Sequence, residues 1–352
     1  MPIRTVGKGR DMAAGANSIE IDVAGKTVAV SNPDKVFFSA RGETKLDLVR
    51  YYLAVGEGAL RGVARRPTVL KRYPEGATGP HFFQKRVPHK RPGWLQTVVV
   101  EFPSGEHAEE LCPIDVAHLI WAVNLGCLDF NPWPVRREDL EHPDELRVDL
   151  DPQPGIGFPR VRELALEVRD VLEEVGLTGW PKTSGSRGMH VLVPIAPRWG
   201  FTDVRRAALA LARELERRRG DLATAAWWKH ERGEKIFVDY NQNARDRTVA
   251  SAYSVRANPE ARVSAPLDWG EVPDVDPAEL TLATMPARYR AIGDPHASAE
   301  AIAGDLSALL ELAGRQAKDG LDDAPWPPHF AKQPGEPPRV VPGRRRGRPL
   351  PE

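Results

Sequence analysis

The sequence predicts an α/β (α+β) fold, in which a mixed sheet is flanked by helices and a small N-terminal module packs beside it. Three observations carry this. Short stretches with period-two alternation recur at 146–151, 189–194 and 236–240. Amphipathic helical stretches at 159–175 and 202–219 separate them. Near the start, 19–23 and 27–30 alternate on either side of Ala24-Gly25, which is the pattern of a β-hairpin.

The chain has 352 residues, enough for one large domain or two ordinary ones. Apolar content of 41% and charged content of 28% are those of a soluble globular protein. The 49 basic residues balance the 49 acidic ones, so affinity for nucleic acid must come from local clustering. There is no apolar leader and no run long enough to span a bilayer. A monomer in the cytoplasm, associated with the nucleoid and without a membrane partner, is expected. Cys112 and Cys127 would lie roughly 20 Å apart if a helix joined them, so both are expected as reduced thiols rather than a disulfide or zinc site.

In chain order, 1–17 is polar and expected to fray. After the hairpin, 31–35 turns, and Thr44 caps a helix whose apolar face is Leu46, Val49, Tyr52 and Leu53. Asn32, Lys35 and Lys45 flank this unit, as solvated turn and cap residues or as a pocket for an anion. A short strand at 69–74 ends in basic and aromatic residues, and Phe82 and Phe83 begin a second basic run. If that run is extended, one Phe enters the core and the other is exposed. Rings among cations suit nucleic acid, although taken alone the stretch reads better as a hydrophobic strand with a charged edge. Residues 94–102 read as a strand and 114–128 as a buried helix that 131–134 breaks. The run 248–256 is strand-like and ends in Arg256, and 297–314 reads as a terminal helix. From Asp322 onward proline dominates, as in a tail.

The chemistry concentrates at three places. On the strand at 146–152, Asp149 and Asp151 share a face, and a divalent cation is the natural partner for two crowded carboxylates. At 184–190 a Gly- and Ser-rich loop with Arg187 precedes His190 and reads as an ordinary hairpin loop or as a phosphate cradle in which glycines let backbone amides approach an anion. It is not a P-loop, because a strand follows it. A third acid, Asp239, ends the strand at 236–240. Three carboxylates on adjacent strands can hold two divalent ions against a triphosphate, which is the chemistry of nucleotidyl transfer.

The ordered set Asp149-x-Asp151, Ser184-Gly-Ser-Arg-Gly-Met-His190 and Phe237-Val-Asp239-Tyr-Asn-Gln242 resembles the archaeo-eukaryotic primase superfamily. More narrowly, it resembles the polymerase domain of bacterial ligase D and its stand-alone actinobacterial relatives, from about residue 19 to about residue 292. The resemblance implies a primase-polymerase core with a sheet like that of the RNA-recognition fold. It implies Asp149, Asp151 and Asp239 as catalytic ligands of two Mn²⁺ or Mg²⁺ ions. Ser184, Gly185, Arg187, His190 and Arg256 would bind the nucleotide. Lys71, Phe82, Phe83, Arg232 and Gln242 would meet template and primer, and Asn32, Lys35 and Lys45 a downstream 5′-phosphate. Asn131 stands where many ligase D domains carry a His.

The implied function is template-dependent nucleotide addition, with ribonucleotides and Mn²⁺ preferred, at gapped or broken DNA. Excision repair and end joining are both open. Ku and a separate DNA ligase are the implied partners, since no ligase segment is read here. A metal-dependent nuclease or phosphohydrolase could use the same acids, and a non-catalytic end-binding module the same basic patches. The expected layout is a flexible 1–17, a catalytic domain at 18–296, a terminal helix at 297–316 and an extended tail at 317–352. The Arg-Gly-Arg-Pro segment at 344–349 resembles an AT-hook for the minor groove.

Overall fold

Alternation in the N-terminal segment produces an antiparallel sheet. The computed structural model describes residues 3–5, 17–301, 303–327, 330–332 and 336. Strands β2 (Ser18–Val23) and β3 (Lys26–Ser31) form the expected hairpin, burying Ile19, Ile21, Val23, Val28 and Val30. The backbone of β1 (Ile3–Thr5) adds a third strand, so this part of the expected frayed N-terminus is paired. A short ribbon, β4 (Val36–Phe38) with β5 (Glu43–Thr44), leads into α1 (Lys45–Ala54). Thr44 and Asp47 close a capping box there, satisfying two of the helix's first amides.

After α2 (Gly56–Arg61), a second sheet is ordered β10-β6-β9-β8, with β7 paired to β6. Its strands are β6 (Thr68–Arg72), β7 (Phe82–Gln84), β8 (Thr97–Glu101), β9 (His107–Leu111) and β10 (Cys127–Pro132). The helix expected over 114–128 is shorter: α3 spans Val116–Asn124, and the chain then re-enters the sheet as β10. The apolar run from Cys127 belongs to a strand buried at every position, which is why no alternation marks it.

The third sheet is ordered β12-β13-β11-β15-β14 and is antiparallel except for its last pair. It comprises β11 (Glu145–Pro152), β12 (Trp180–Thr183), β13 (Met189–Pro194), β14 (Ala223–Thr224) and β15 (Ile236–Val238). Helices α4 (Phe158–Glu174) and α5 (Phe201–Arg218) pack on it and on each other. Leu146, Val148 and Leu150 join the core with Val161, Leu164 and Val168, so Asp149 and Asp151 project from the opposite face.

Three further expectations are corrected. The run 248–256 forms only an isolated bridge, Val255 to Val263. Beyond α6 (Met285–Ile292), the terminal helix is α7 (Ser307–Lys318), preceded by one 3₁₀ turn at Ala299–Ala301. Gly304 interrupts the helical run because it bonds to Pro194 and Ala196 as a bridge beside β13. A side chain there would stand 2.5 Å from Leu177. The tail begins later than expected: Ala324 and Trp326 are buried against α5. The AT-hook-like segment lies outside the described residues.

Candidate active site

The register of the third sheet sets a row of side chains across it. Lys182 lies opposite His190, and His190 opposite Asp149. Leu150 opposes Val238, and the Asp239 amide donates to the Asp149 carbonyl at 2.9 Å, so Asp239 continues the row. Directly opposed residues of adjacent strands have Cβ atoms about 5 Å apart. Asp151 stands two residues along β11 on the same face.

Crowding shows in their charge. Burial, followed by the Asp149 carboxylate, pushes Asp239 up to about 7. The same two causes raise Asp151. Asp149 lies 3.3 Å from His190 Nε2. Asp239 accepts from the Asn241 amide at 3.0 Å and from Gln242 Nε2 at 3.3 Å. Among the described residues, no group of three or more His, Cys, Asp or Glu side chains stands ready to hold a metal ion. The donor set nevertheless fits a hard divalent cation: all three groups are carboxylates, and Asp149 raises the proton affinity of the other two.

The loop between β12 and β13 is a tight hairpin turn. The amides of Ser186 and Gly188 both donate to Ser184 Oγ at 3.1 Å, so these two amides face inward rather than toward an anion as expected. What the glycines permit is close packing. At Gly188 a Cβ would come 2.2 Å from the Leu150 carbonyl, between the two aspartates. At Gly185, with φ of +67°, it would meet Arg256 Cγ at 2.5 Å. Arg187 is exposed beside the loop.

The second sheet forms the opposite wall. A pocket of about 190 Å³ is lined by Lys71, Phe83, Asp129, Asn131, Asp149, Ser184, His190, Gln242 and Arg256, among others. Phe82 and Phe83 are 46% and 55% exposed, so both are at the surface, contrary to the expectation that one enters the core. Strand β7 pairs only with β6 and leaves both rings accessible. Arg72 stacks 5.1 Å from the Phe82 centroid, and Lys71 5.5 Å from that of Phe83.

Sequence reasoning missed two residues here. Asp129 is 1% exposed, with Lys71 Nζ at 3.8 Å and Arg256 Nε at 3.7 Å. A register shift between Cys127 and Asp129 sets it opposite Lys71. Lys182 is fully buried; burial first, then Arg256, holds its ammonium down to about 7. Burial, and then Lys182, holds His190 down to about 4, so the imidazole is neutral.

Other expected residues sit apart from the pocket. Arg232 is buried, donates to the Ala226 and Trp227 carbonyls, and stacks 3.5 Å from the Phe237 centroid. Asn32 is exposed, and Lys35 reaches the Pro74 carbonyl at 2.6 Å. Lys45 is 6% exposed, its ammonium held by the carbonyls of Ser31 and Asn124 at 2.7 and 3.0 Å. A larger cavity of about 470 Å³ includes Arg61, Arg65, Arg66 and Arg136, but each of these is paired with a carboxylate.

The family described as LigD, primase-polymerase domain, matches residues 44–296. The chain belongs to this family. It is therefore a nucleotidyltransferase of the polymerase type. It is 31% identical over 269 residues to the multifunctional non-homologous end joining protein LigD of Mycolicibacterium smegmatis, a match covering 76% of this chain and 35% of that protein. The Pseudomonas aeruginosa LigD is 32% identical over 287 residues, covering 80% of this chain and 34% of the relative. The chain thus spans about a third of the length of these relatives. Among solved structures, the polymerase domain of Mycobacterium tuberculosis ligase D in complex with DNA aligns with a TM-score of 0.74 at 31% identity. That alignment covers 79% of this chain and 99% of the other. Among the described residues of this primase-polymerase domain, no helix is long and apolar enough to cross a membrane.

Proposed function

We propose that the protein extends a primer end by copying a template strand in short gaps or at broken DNA ends. The observation that carries this is one pocket with two unlike walls. One wall presents Asp149 and His190, with Asp239 and Asp151 beside them, and the other presents Lys71 and Phe83. Asp149, Asp151 and Asp239 would hold the Mn²⁺ or Mg²⁺ ions, which when bound supply Lewis-acid activation of the primer hydroxyl and neutralise phosphate charge.

The chain's own groups do the rest. The Ser184 hydroxyl oxygen accepts two amides, which leaves its proton for a phosphate oxygen. Arg256 and the exposed Arg187 add positive charge around the nucleotide. Phe83, backed by Lys71, offers a ring on which a templating base can stack, with Phe82 beside it. Gln242 steadies Asp239 and borders the primer side. Asn32 and Lys35 form the expected site for a downstream 5′-phosphate, with Lys45 supporting it from below. A ribonucleotide preference, and work beside Ku and a DNA ligase in end joining or excision repair, belong to the same reading.

The test is extension of a labelled primer across a short gap, with ribo- and deoxynucleotides compared and the 5′-phosphate present or absent. The wild type should extend in Mn²⁺ or Mg²⁺. Asp149→Ala should lose about a hundred- to a thousandfold, the scale of a removed charge-stabilising group, with its fold intact by circular dichroism. Extension retained by Asp149→Ala would overturn the assignment, as would release of monophosphates from DNA without added nucleotide.

A further inference from the structure

The hairpin that carries Ser184 and His190 also buries a lysine to which the proposed reaction gives no direct part. Lys182 is 0% exposed. An ammonium has three hydrogens to donate. Three acceptors surround this one: the Ala250 carbonyl at 2.8 Å, Ser264 Oγ at 2.7 Å and His190 Nδ1 at 2.7 Å. Ser264 donates its own proton to the Thr183 carbonyl at 2.9 Å, so it accepts from Lys182. The third ammonium hydrogen therefore meets Nδ1, and the imidazole proton sits on Nε2.

The far end of the ring requires the same tautomer. Nε2 lies 3.3 Å from Asp149 Oδ1, and a carboxylate only accepts. With the proton on Nδ1 instead, N–H would oppose N–H at Lys182 and a bare nitrogen would face a carboxylate at Asp149. The first mismatch is buried, where unpaired polar groups are costly, and the second lies at the pocket wall. The arrangement is also anchored: Lys182, His190 and Asp149 sit opposite one another on three consecutive strands.

We propose that Lys182 is a positioning residue that fixes His190 as a neutral Nε2–H donor. Its proton faces Asp149 in the unloaded site and passes, as a hydrogen bond, to a phosphate oxygen of the incoming nucleotide when Asp149 turns to a cation. No proton is transferred. The donor role rests on the reading of the pocket as a nucleotide site.

Long-range ¹H–¹⁵N spectra of the ¹⁵N-histidine-labelled wild type read the tautomer directly. His190 is assigned by the signal lost in His190→Gln. The expected result, at about pH 6 where Lys182 keeps its third hydrogen, is an Nε2–H imidazole. Lys182→Met should give mixed tautomers and a KM for nucleotide raised roughly tenfold, with kcat within about twofold, the pattern of lost ground-state and transition-state binding alike. An Nδ1–H tautomer or an imidazolium in the wild type overturns the proposal while leaving primer extension to stand, and this outcome does not depend on the variant folding. A folded Lys182→Met with wild-type tautomer and KM overturns it too. A wild type with the Nε2–H tautomer that neither binds nor incorporates nucleotide removes the polymerase reading and the donor role with it.

Discussion

Lys45 begins the helix after a capped turn, and as sequence it reads equally well as a phosphate ligand or as a solvated cation. Its geometry settles its present work: two carbonyls hold its ammonium beneath the surface. Burial, then Lys35 and Arg72, holds it down to about 8. Lys45→Met should therefore lower stability by about 1–3 kcal/mol, the cost of leaving buried acceptors unpaired, whatever the DNA substrate. Lys35→Ala, at a half-exposed position, should leave stability within about 0.5 kcal/mol and remove only the rate advantage of a 5′-phosphate at a gap. Equal losses on gapped and open primer–templates would refute that division. Glu110 is a different case: both its oxygens are buried, and burial, partly offset by Lys85 and Trp133, pushes its carboxyl up to about 8. The folded state then keeps a proton that the unfolded chain loses near its ordinary value of 4.5. Stability from this group is full below about 4.5 and is lost as pH rises through about 8. Glu110→Gln should flatten that decline and raise the unfolding temperature at pH 8, by roughly 2–4 °C for each kcal/mol recovered. An unchanged pH profile of thermal unfolding would contradict it.

At the scale of elements, what the sequence made legible was periodicity. The hairpin of β2 and β3, the capped α1, the amphipathic α4 and α5 and the alternating β11 were all readable, because each has one face in the core and one outside. Strand β10 was not, because both its faces are buried and its apolar residues run on from α3. Asp129 was hidden with it: a lone acid in an apolar run carries no pattern, and only the register shift against β6 gives it two cations. The loop at 184–188 was recognised by composition, but composition does not say which way an amide points. Its glycines are there for proximity, and this can be tested. Gly188→Ala places a methyl 2.2 Å from the Leu150 carbonyl, which forces the hairpin away from β11. Overpacking of this kind costs about 1–3 kcal/mol, and here it also moves His190 relative to Asp149. Primer extension should fall more than a hundredfold, since misplacing reacting groups by about 1 Å costs that much. Gly105→Ala, in an open turn with φ of +82°, is the control: it should be strained without loss of extension.

Across the whole molecule, the proline-rich end shows where composition misleads. Residues 322–327 read as tail, yet they satisfy Arg205, a guanidinium that α5 carries at 1% exposure. Arg205 donates to Asp323 and to the carbonyls of Ala324 and Pro325, and stacks 4.0 Å from the Trp326 centroid. It also donates to Asn241 Oδ1 at 2.7 Å, while Asn241 Nδ2 donates to the Pro325 carbonyl at 3.0 Å. Asn241 is the residue whose amide holds Asp239. The C-terminal segment thus buttresses, through two side chains, the turn that carries the third carboxylate. Trp326→Ala in the full chain should cost about 3–5 kcal/mol, as for a buried aromatic, and Arg205→Met a comparable amount because it strands several acceptors. Both should also lower kcat for primer extension more than they raise KM for nucleotide, since Asp239 lies away from the Ser184 hairpin, across β11. Thermal unfolding and steady-state extension on the same preparations decide it. A variant that loses stability while kcat below its melting range stays at the wild-type value would show that this segment supports α5 alone and not the carboxylate turn.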